Sequence, residues 1–494
     1  MKKYILASFF ICTFTLDAYS NQFSFQGYDT SSQQVLNSNI VYGGSVGSLY
    51  SNPALLGTLK NQLGVNFSLN IPSMQIKLMD KPSQSNVPIS IYDSNVGNSK
   101  NNYKTLPTVE LMNGRGDTIV DDAVAFVGIG LAYNFNIPKL QLAGIIQLPV
   151  SFPEAAVLST HYNDEREAIF SNRLYFTRFG QWEKVAAGLL GVSYDVLPEL
   201  SVGFSAQITI TTKTHLAIYI PDASVQDYSL ANADASISTG IRPIAGMVYR
   251  PFEWLAVGAV FRDESWVKVD GTGELLLWNY HEADPNKTIP KRASQSFPLA
   301  ISYEPREYEL GFGLKYSNFT SQLAVVFQEW SLYRDQHNRH PFVLDNPMDK
   351  ETEKKFHFDG TFNFLGNLEW MYGDDRSFMI GAAYYPTPVP PQVGRTNFVD
   401  SDILAFSLGH KYDFRLFDRR FTLNGVAQLF YMYKRTVYKD PKLILDEFPD
   451  DSTTLLSNSP MLEAKGLQTN NPGYPGYEAG GLLLSIGANI IYYF

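Results

Sequence analysis

The feature that most constrains this sequence is a set of long segments in which apolar and polar residues alternate. Three of them, 61–71, 199–211 and 421–433, place five or six apolar side chains on one face and mainly small or polar ones on the other. A period of two indicates β-strands, but a half-buried strand in a soluble sandwich is usually only about five or six residues long. Repeated alternation over about ten residues is typical of strands that cross a bacterial outer membrane. The pattern therefore predicts an all-β fold, a transmembrane antiparallel β-barrel.

About fourteen strands are predicted, an even number as expected for a bacterial barrel. Tight turns alternate with long polar loops, which is the usual asymmetry between the two rims of such a barrel. The segment 296–317 is long enough for two short strands, which would break the even number. The predicted strands are 61–79, 122–135, 139–150, 180–195, 199–213, 236–250, 254–269, 296–317, 320–333, 356–372, 376–385, 402–414, 419–436 and 480–494. The predicted long loops are 80–121, 214–235, 270–295, 334–355, 386–401 and 437–478.

The sequence ends on an alternating segment, LLLSIGANIIYYF at 482–494, with Phe494 as the last residue. A barrel closes only if its last strand pairs with its first, which removes the exposed edges of the sheet. A final strand that ends on an aromatic residue resembles the assembly signal of outer-membrane barrels. We therefore expect this segment to pair with the strand that begins near residue 61.

Residues 1–20 are predicted to be a cleaved signal peptide. Basic residues at the second and third positions precede an apolar core at 5–16, and Ala18 and Ser20 supply the small residues that a signal peptidase reads. The single cysteine, Cys12, lies within this segment, so the mature chain is expected to lack disulfides. The chain is thus expected to leave the cytoplasm.

Composition narrows the class of exported protein. Aromatic residues make up 14% of the chain, and charged residues, at 18%, fall below the roughly 25% of ordinary soluble domains. No apolar run long enough for a transmembrane helix follows the signal peptide. A formal net charge of −10 disfavours nucleic acid as a partner. A secreted β-protein and an outer-membrane barrel remain, and the long strands favour the barrel.

Three segments resemble the FadL family of outer-membrane transporters for long-chain fatty acids and other hydrophobic compounds, which includes the toluene transporters. VYGGSVGSLYSNPALLG at 41–57 is similar to the family's small residues leading to Asn-Pro-Ala. The block at 378–414 resembles its strand, proline-rich loop and returning strand, and FQEWSLY at 327–333 matches another strand ending. An arginine of the family's Pro-Asp segment is replaced here by Ile403, so the role of that arginine is not assured.

The resemblance implies a fourteen-stranded barrel, 61–494, whose lumen is plugged by a small N-terminal helical hatch, 21–60. Within the hatch, Asn52 is a good N-cap and Pro53 suits the first helical position. Ala54 and Gly57 would permit close packing on the barrel wall. An ordinary helix lying outside the barrel is the alternative.

The resemblance also implies a transport route with three stages, each with candidate residues. An apolar stretch of an outer loop would capture the ligand, and the hatch would contribute aromatic residues to a site in the lumen. Prolines that remove ladder donors in the third strand would open a lateral gap into the membrane. Each set has a structural alternative. The capture residues could simply continue a strand, the lumen aromatics could be in ordinary packing, and the prolines could lie in the loop beyond the membrane. The candidates are Leu216, Ile218, Tyr219 and Ile220 for capture, Phe23, Phe25 and Tyr28 for the lumen, and Pro149 and Pro153 for the gap.

A carboxylate ligand would need a basic partner, for which Arg173, Arg178 and Lys184 are candidates, although such residues also suit lipopolysaccharide phosphates. We expect a monomer that contacts outer-membrane lipid and lipopolysaccharide and binds a fatty acid or hydrocarbon. The solute itself is left open.

We expect no catalytic activity, cofactor or metal. GGSVG, around Ser45, lacks the strand and helix that a nucleophile elbow requires, and HNRH at 337–340 offers only two histidines. Two other classes remain as alternatives. A phospholipase-like barrel enzyme predicts serine, histidine and an amide together on the lipid-facing wall, and a structural or adhesin barrel predicts a charged lumen without an apolar path.

Overall fold

The computed structural model describes the chain from residue 22 to residue 494, with gaps at several long connections. The predicted signal peptide, Pro153 and 337–340 lie outside the described residues. Only the backbone is described for 118–120, 175, 210–219, 230–238, 266–278 and 290–302. The described residues are 22–80, 82, 118–120, 123–150, 174–176, 178, 186–219, 230–278, 290–333, 357–394, 396–444, 467, 469, 471 and 473–494.

Long antiparallel strands dominate the described part of the chain, and fourteen of them form one closed barrel. The strands are β1 Gln62–Leu78, β2 Thr118–Val120, β3 Val124–Tyr133, β4 Leu140–Pro149, β5 Tyr175–Phe176, β6 Ala186–Leu197, β7 Leu200–Tyr219, β8 Leu230–Phe252, β9 Leu255–Arg262, β10 Ser265–Trp278, β11 Pro290–Glu304, β12 Arg306–Tyr316, β13 Phe319–Glu329, β14 Thr361–Met371, β15 Arg376–Tyr385, β16 Phe398–Val399, β17 Ile403–Leu416, β18 Arg419–Tyr438 and β19 Gly476–Tyr493. The barrel order is β1, β3, β4, β6, β7, β8, β9, β12, β13, β14, β15, β17, β18 and β19.

The barrel closes through its first and last strands, as the sequence predicts. β1 pairs with β19 along its whole length, from Gln62 opposite Tyr493 to Leu78 opposite Tyr477. The backbone N–H of Phe494 donates to the Asn61 carbonyl at 3.2 Å and extends this pairing. Closure leaves no exposed edge in the barrel, which is what a sheet in lipid requires.

The predicted strands at 254–269 and 296–317 are wrong, although the count of fourteen is confirmed. Each segment contains two strands, β9 and β10 in the first and β11 and β12 in the second. β9 pairs directly with β12, while β10 and β11 form a separate antiparallel hairpin between them. The even number survives because the two extra strands pair with each other outside the barrel. The predicted loop at 270–295 is therefore largely this hairpin.

The two rims of the barrel differ as expected. One rim, here called the turn rim, has connections as short as the two residues between β17 and β18, where Phe417 and Asp418 both have positive φ. Positive φ at both positions is typical of the tight turns that match strand twist. The opposite end, the loop rim, carries the long connections. The predicted loop at 214–235 is wrong in extent, because β7 continues to Tyr219 and β8 begins at Leu230.

The outer face of the barrel is apolar and ends in an aromatic girdle. Outward side chains such as Phe204, Leu310 and Phe364 are more than half exposed, as lipid-facing residues are when lipid is not present. Among the described residues, no helix has the length and apolar character needed to cross a membrane. Aromatic girdles mark the interfaces of membrane barrels. The exposed aromatic residues near the turn rim include Phe135, Tyr194, Tyr249, Phe252, Trp254, Tyr316, Phe319, Trp370, Tyr372 and Phe494.

The N-terminal segment lies inside the barrel and is here called the plug. It contains the short α-helices α1 Phe23–Gln26, α2 Thr30–Gln33 and α3 Ser48–Ser51, followed by a 3₁₀ helix at Pro53–Thr58. Its backbone and side chains approach inward-facing wall positions on several strands, including Gly203 on β7 and Gly487 on β19. Because these strands lie on different sides of the barrel, the alternative of a helix outside it is wrong.

Candidate functional site

Asn52 anchors the plug as the sequence predicts. Its side-chain Oδ1 accepts a hydrogen bond from the Ala54 N–H at 3.0 Å, and Pro53 occupies the first helical position. The side-chain amide also donates to the carbonyls of Ile40 at 2.8 Å and Met247 at 3.1 Å. Asn52 therefore caps the helix, ties two parts of the plug together, and fastens the plug to β8. The helix is a 3₁₀ helix.

The wall, more than the plug, supplies the small residues for close packing. An added β-carbon at Gly203 would overlap the Pro53 carbonyl carbon, and one at Gly246 would overlap the Asn52 side chain. Ala54 is fully buried against this wall. Gly57 faces a different part of the wall, β6, where an added β-carbon would come within 2.9 Å of the Asp195 carboxylate. Sequence reasoning placed the requirement for small side chains only in the plug.

The predicted lumen aromatics are buried in packing contacts with the plug and the wall. Phe23 makes an edge contact with Phe126 of β3 at 5.1 Å between ring centroids, and Phe25 makes one with Tyr385 of β15 at 5.3 Å. Tyr28 lies 5.3 Å from the ring of Tyr50 within the plug. These contacts join the plug to strands on two sides of the barrel.

A buried ionic cluster of two arginines and three glutamates links the plug to the wall, and sequence reasoning missed it. Arg262 of β9 lies opposite Glu307 of β12 and donates to it at 3.1 Å. The same guanidinium donates to Glu309 at 2.6 Å. It also donates to the plug carbonyls of Tyr50 at 3.0 Å and Ser51 at 2.9 Å. The attraction between buried charges offsets the cost of removing them from water only when their hydrogen-bond geometry is good.

Arg242 of β8 completes the cluster. Its guanidinium lies 3.4 Å from Glu307 and 3.9 Å from Glu304, and donates to the Tyr50 hydroxyl at 3.3 Å. Glu304 in turn accepts a hydrogen bond from the Ser24 hydroxyl of the plug at 2.6 Å. The five charged side chains are at least nine-tenths buried. A lumen with this content also fits the structural-barrel alternative.

A cavity of about 30 Å³ lies between the plug and the wall beside this cluster. Its lining is mixed, since Phe25 and Leu365 share it with Glu309, Asn363 and other polar groups. This cavity is therefore not the apolar pocket that a transporter predicts beside the hatch. A fatty acid or an aromatic hydrocarbon does not fit this space while the plug holds its described position.

One of the predicted prolines, Pro149, lies at the end of the third barrel strand. Among the described residues, the ladder of β4 with β6 runs as far as Gln147 opposite Ala187, and β4 pairs with β3 as far as Pro149. The Val150 N–H bonds to β3, so Pro149 occupies the next position that would donate toward β6. Proline lacks that N–H. The lateral gap at Pro149 stays a prediction.

Gln147 also holds the plug. Its side-chain amide donates to the Tyr28 carbonyl, and Gly128 of β3 leaves room for its side chain, because an added β-carbon there would overlap it. Gln147 thus pairs with β6 through its backbone and holds the plug through its side chain. Alternation in the sequence identifies Gln147 as inward-facing but carries no signal for this contact.

The predicted capture residues lie at the loop rim. Leu216, Ile218 and Tyr219 belong to β7 and pair with β8, which is the continued strand that formed the alternative. Their side chains, and Ile220 entirely, lie outside the described residues. The capture site stays a prediction.

Of the candidate basic residues, Arg178 is committed to an internal ion pair, while Arg173 and Lys184 lie outside the described residues. The guanidinium of Arg178 lies 2.9 Å from the Asp400 carboxylate, and both side chains are almost fully buried. It also donates to the carbonyls of Pro386 and Ser401 at 2.9 Å. Burial raises the pKa of Asp400, whereas Arg178 and the Thr387 hydroxyl act to lower it. Arg178 therefore places a cation beside Asp400 and Ser401. These residues belong to the segment in which Ile403 stands where the resemblance would place an arginine.

Lys439, just beyond β18, is a second buried cation in this region. Its ammonium donates to the carbonyls of Gln392 at 3.0 Å and Thr396 at 2.5 Å, and lies 5.6 Å from the ring centroid of Tyr477. Burial lowers the pKa of Lys439 to about 7. The basic residues of this region thus stabilise the proline-rich segment between β15 and β17.

The FQEWSLY segment ends in an aromatic cluster near the loop rim. Tyr333 stacks on Phe358 at 4.6 Å between centroids, and Phe358 makes an edge contact with Phe398 at 5.1 Å. Trp330 and Tyr303 pack in the same cluster. These rings join the end of β13 to the segment that carries Asp400.

Ser45, of the GGSVG motif, and His410, a histidine on the barrel wall, each have a hydrogen-bond partner. The Ser45 hydroxyl donates to Asp29 of the plug at 3.1 Å. His410, on the outer face, lies 2.6 Å from the Tyr372 hydroxyl. In the part of the chain that the structure describes, no group of three or more His, Cys, Asp and Glu side chains is arranged to hold a metal ion.

No family model matches the sequence, and no curated protein matches it. Among solved structures, the chain is similar to a Pseudomonas aeruginosa FadL homologue, at 13% identity and a TM-score of 0.54, over 95% of this chain and 98% of that one. It is also similar to a deletion mutant of TodX, described as a monoaromatic hydrocarbon channel, at 11% identity and a TM-score of 0.50, over 96% of this chain and 100% of that one. At these identities the likeness shows a shared fold, and it confirms the fold that the motifs indicate.

Proposed function

We propose that this chain is a FadL-type transporter that carries hydrophobic compounds across the outer membrane. One observation supports this most: a plug lies inside a closed fourteen-stranded barrel and is held by Gln147, at the end of the described pairing between β4 and β6. In this proposal residues 1–20 direct export and 21–60 form the hatch. The mature monomer lies among outer-membrane lipid and lipopolysaccharide.

The proposed route has three stages. Leu216, Ile218, Tyr219 and Ile220 capture the solute at the loop rim. The solute then reaches a lumen site beside Phe23, Phe25 and Tyr28, and leaves sideways past Pro149 and Pro153. An apolar solute gains nothing from a water-filled pore, but gains free energy when it leaves water for the bilayer.

The route requires the plug to move. The cavity beside Phe25 holds about 30 Å³, and the three plug aromatics are already packed against the wall or each other. A solute of several carbon atoms must therefore displace part of the plug. The contacts through Gln147, Asn52 and Arg262 are among those that hold the plug against such a displacement.

The test combines ligand identification with uptake. Mass spectrometry of the purified barrel should detect co-extracted apolar molecules, and a deletion strain should take up labelled fatty acids, alkanes or toluene more slowly than the complemented strain. Fatty acids, alkanes and small aromatics all remain candidates, and this assay separates them. Normal uptake of all three classes by the deletion strain, with nothing apolar co-purified, would contradict the proposal.

The lateral exit has its own test at Pro149. Alanine at this position restores the N–H that β4 lacks toward β6, so Pro149→Ala should slow uptake if a closed ladder blocks the exit. Pro72→Ala is the matched control, because Pro72 lies in β1, which stays paired with β19 on both sides of it. Equal uptake by both variants would remove the exit from the proposal.

A structural or adhesin barrel is the second candidate, and the buried ionic cluster around Arg262 is the observation that favours it. That candidate predicts unchanged uptake when the plug contacts are broken. For the phospholipase-like alternative, His410 bonds to Tyr372 and not to a serine.

A further inference from the structure

Four oxygen atoms without a described hydrogen-bond partner surround the small cavity between the plug and the wall. Three belong to Asn37 of the plug and to Asn363 and Tyr385 of the wall, each at least nine-tenths buried. The fourth belongs to Glu309. Glu309 pairs with Val326, which pairs with Asn363, so these three residues form one row across the inner face of β12, β13 and β14.

The orientation of Asn37 is set by its neighbours. Its side-chain nitrogen donates to the carbonyls of Phe23 at 3.2 Å and Ser24 at 3.0 Å. The atom left without a partner is therefore the oxygen, which can only accept. A buried acceptor in this position needs a donor or a cation.

The charges around the cavity do not balance. Only Arg262 binds the Glu309 carboxylate among the described residues, and it binds one oxygen, at 2.6 Å. The cluster as a whole contains Glu304, Glu307 and Glu309 but only two arginines. With all three carboxylates ionised, the cluster carries one negative charge more than the two arginines balance, and a buried charge is costly unless it is compensated.

We propose that this cavity binds one monovalent cation of the size of sodium, held by oxygens of Glu309, Asn37, Asn363 and Tyr385. A volume of about 30 Å³ is room for about two water-sized groups, so one ion fits with at most one water molecule and without a full hydration shell. Hard cations take oxygen ligands of these kinds. A single positive charge neutralises the excess, whereas a water molecule would leave it in place.

The ion would join the plug to the wall. Asn37 belongs to the plug, while the other three ligands belong to β12, β14 and β15. Binding therefore stabilises the plugged barrel by mass action, whatever solute the barrel carries. This inference stands independently of the proposed transport.

Thermal unfolding of the purified full-length barrel in detergent tests the site. Sodium chloride is compared with choline chloride at constant ionic strength, because choline is too large for the cavity. We expect sodium to raise the unfolding midpoint by several degrees in a saturable way. The increase should be lost in Glu309→Gln and in Asn363→Leu, two variants that remove a ligand by different routes. Glu369→Gln, on β14 near the turn rim, should retain it.

Two results would overturn the inference. One is an equal midpoint for the unmodified protein in sodium and in choline. The other is a sodium effect that both ligand variants retain in full, which would place the ion elsewhere on the barrel. If Glu309→Gln fails to fold, Asn363→Leu decides between these outcomes, since it leaves the ion pair with Arg262 intact.

Discussion

The side-chain amide of Gln147 donates to the backbone carbonyl of Tyr28, which joins the last residue of β4 described as paired with β6 to the plug. Both residues are buried. This contact places the plug beside Pro149 and the end of the described pairing between β4 and β6. A plug that moves is thus mechanically connected to the proposed exit.

Replacing Gln147 with methionine should loosen the plug at this point. The substitution keeps the volume of the side chain but removes the hydrogen bond that Gln147 donates to the Tyr28 carbonyl, and removing one partner of a buried hydrogen bond costs about 1–3 kcal/mol. Thermal unfolding of the purified barrel measures the loss. Gln141→Met is the matched control, since Gln141 is a buried residue of the same strand whose side-chain nitrogen has no partner. A similar loss in both variants would show that the contact contributes nothing specific.

Gly203→Ala should displace the Asn52–Pro53 corner of the plug. The added β-carbon overlaps the Pro53 carbonyl carbon, and backbone cannot move aside as a flexible side chain can. Overpacking of this kind typically costs about 1–3 kcal/mol. Protease accessibility of the plug and the unfolding midpoint report the effect. Gly64→Ala should be nearly neutral, because its added β-carbon meets nothing closer than 3.6 Å. Equal stability of both variants would contradict the close packing described.

Arg178→Met should release the segment that carries Asp400. Removing one partner of a buried ion pair leaves the other charge uncompensated, at a cost of about 3–5 kcal/mol. Asp400→Asn in the same chain should recover part of the loss. Arg376→Met is the control, because its ion pair with Asp375 is about half exposed and is worth about 0–1 kcal/mol. Limited proteolysis of the 386–402 segment distinguishes the variants, and indistinguishable cleavage would refute this role for Arg178.

Lys439 should make stability depend on pH in a defined window. Its pKa is lowered from 10.5 to about 7 in the folded chain, so between these values the unfolded chain binds more protons than the folded one. Stability should therefore rise as the pH increases through this window. In Lys439→Met that rise should diminish, whereas the exposed Lys442→Met should keep it. Unfolding midpoints from pH 6 to about 10.5 measure the difference, and parallel curves for the three proteins would count against it.

Much of the barrel could be predicted from sequence, because its signals are local. Alternation over long strands, the cap at Asn52 and the proline at 53 each depend on neighbouring residues. The hairpin β10 and β11 was missed, since the pairing of β9 with β12 around it is long-range and has no local signature.

The site was harder to predict than the fold for the same reason. Arg262 and Glu307 are 45 positions apart and are brought together only by strand register. The glycines that receive the plug, such as Gly203 and Gly246, are ordinary strand residues until the plug is placed against them. Pro149 could be identified from the sequence because proline lacks an N–H. The side of β4 on which that N–H is missing could not, since it follows from the hydrogen bond that Val150 donates to β3.

Locking the plug to the wall tests the central claim most directly. Ser38 of the plug and Asn367 of β14 are in side-chain contact at 2.7 Å, and the one natural cysteine, Cys12, lies in the predicted signal peptide. In a deletion strain expressing Ser38→Cys with Asn367→Cys, we expect uptake of the solute identified above to fall to the level of the empty strain under oxidising conditions. Reduction should restore it, while either single variant should transport normally throughout. Uptake that is the same with the disulfide formed and reduced would contradict a gating plug.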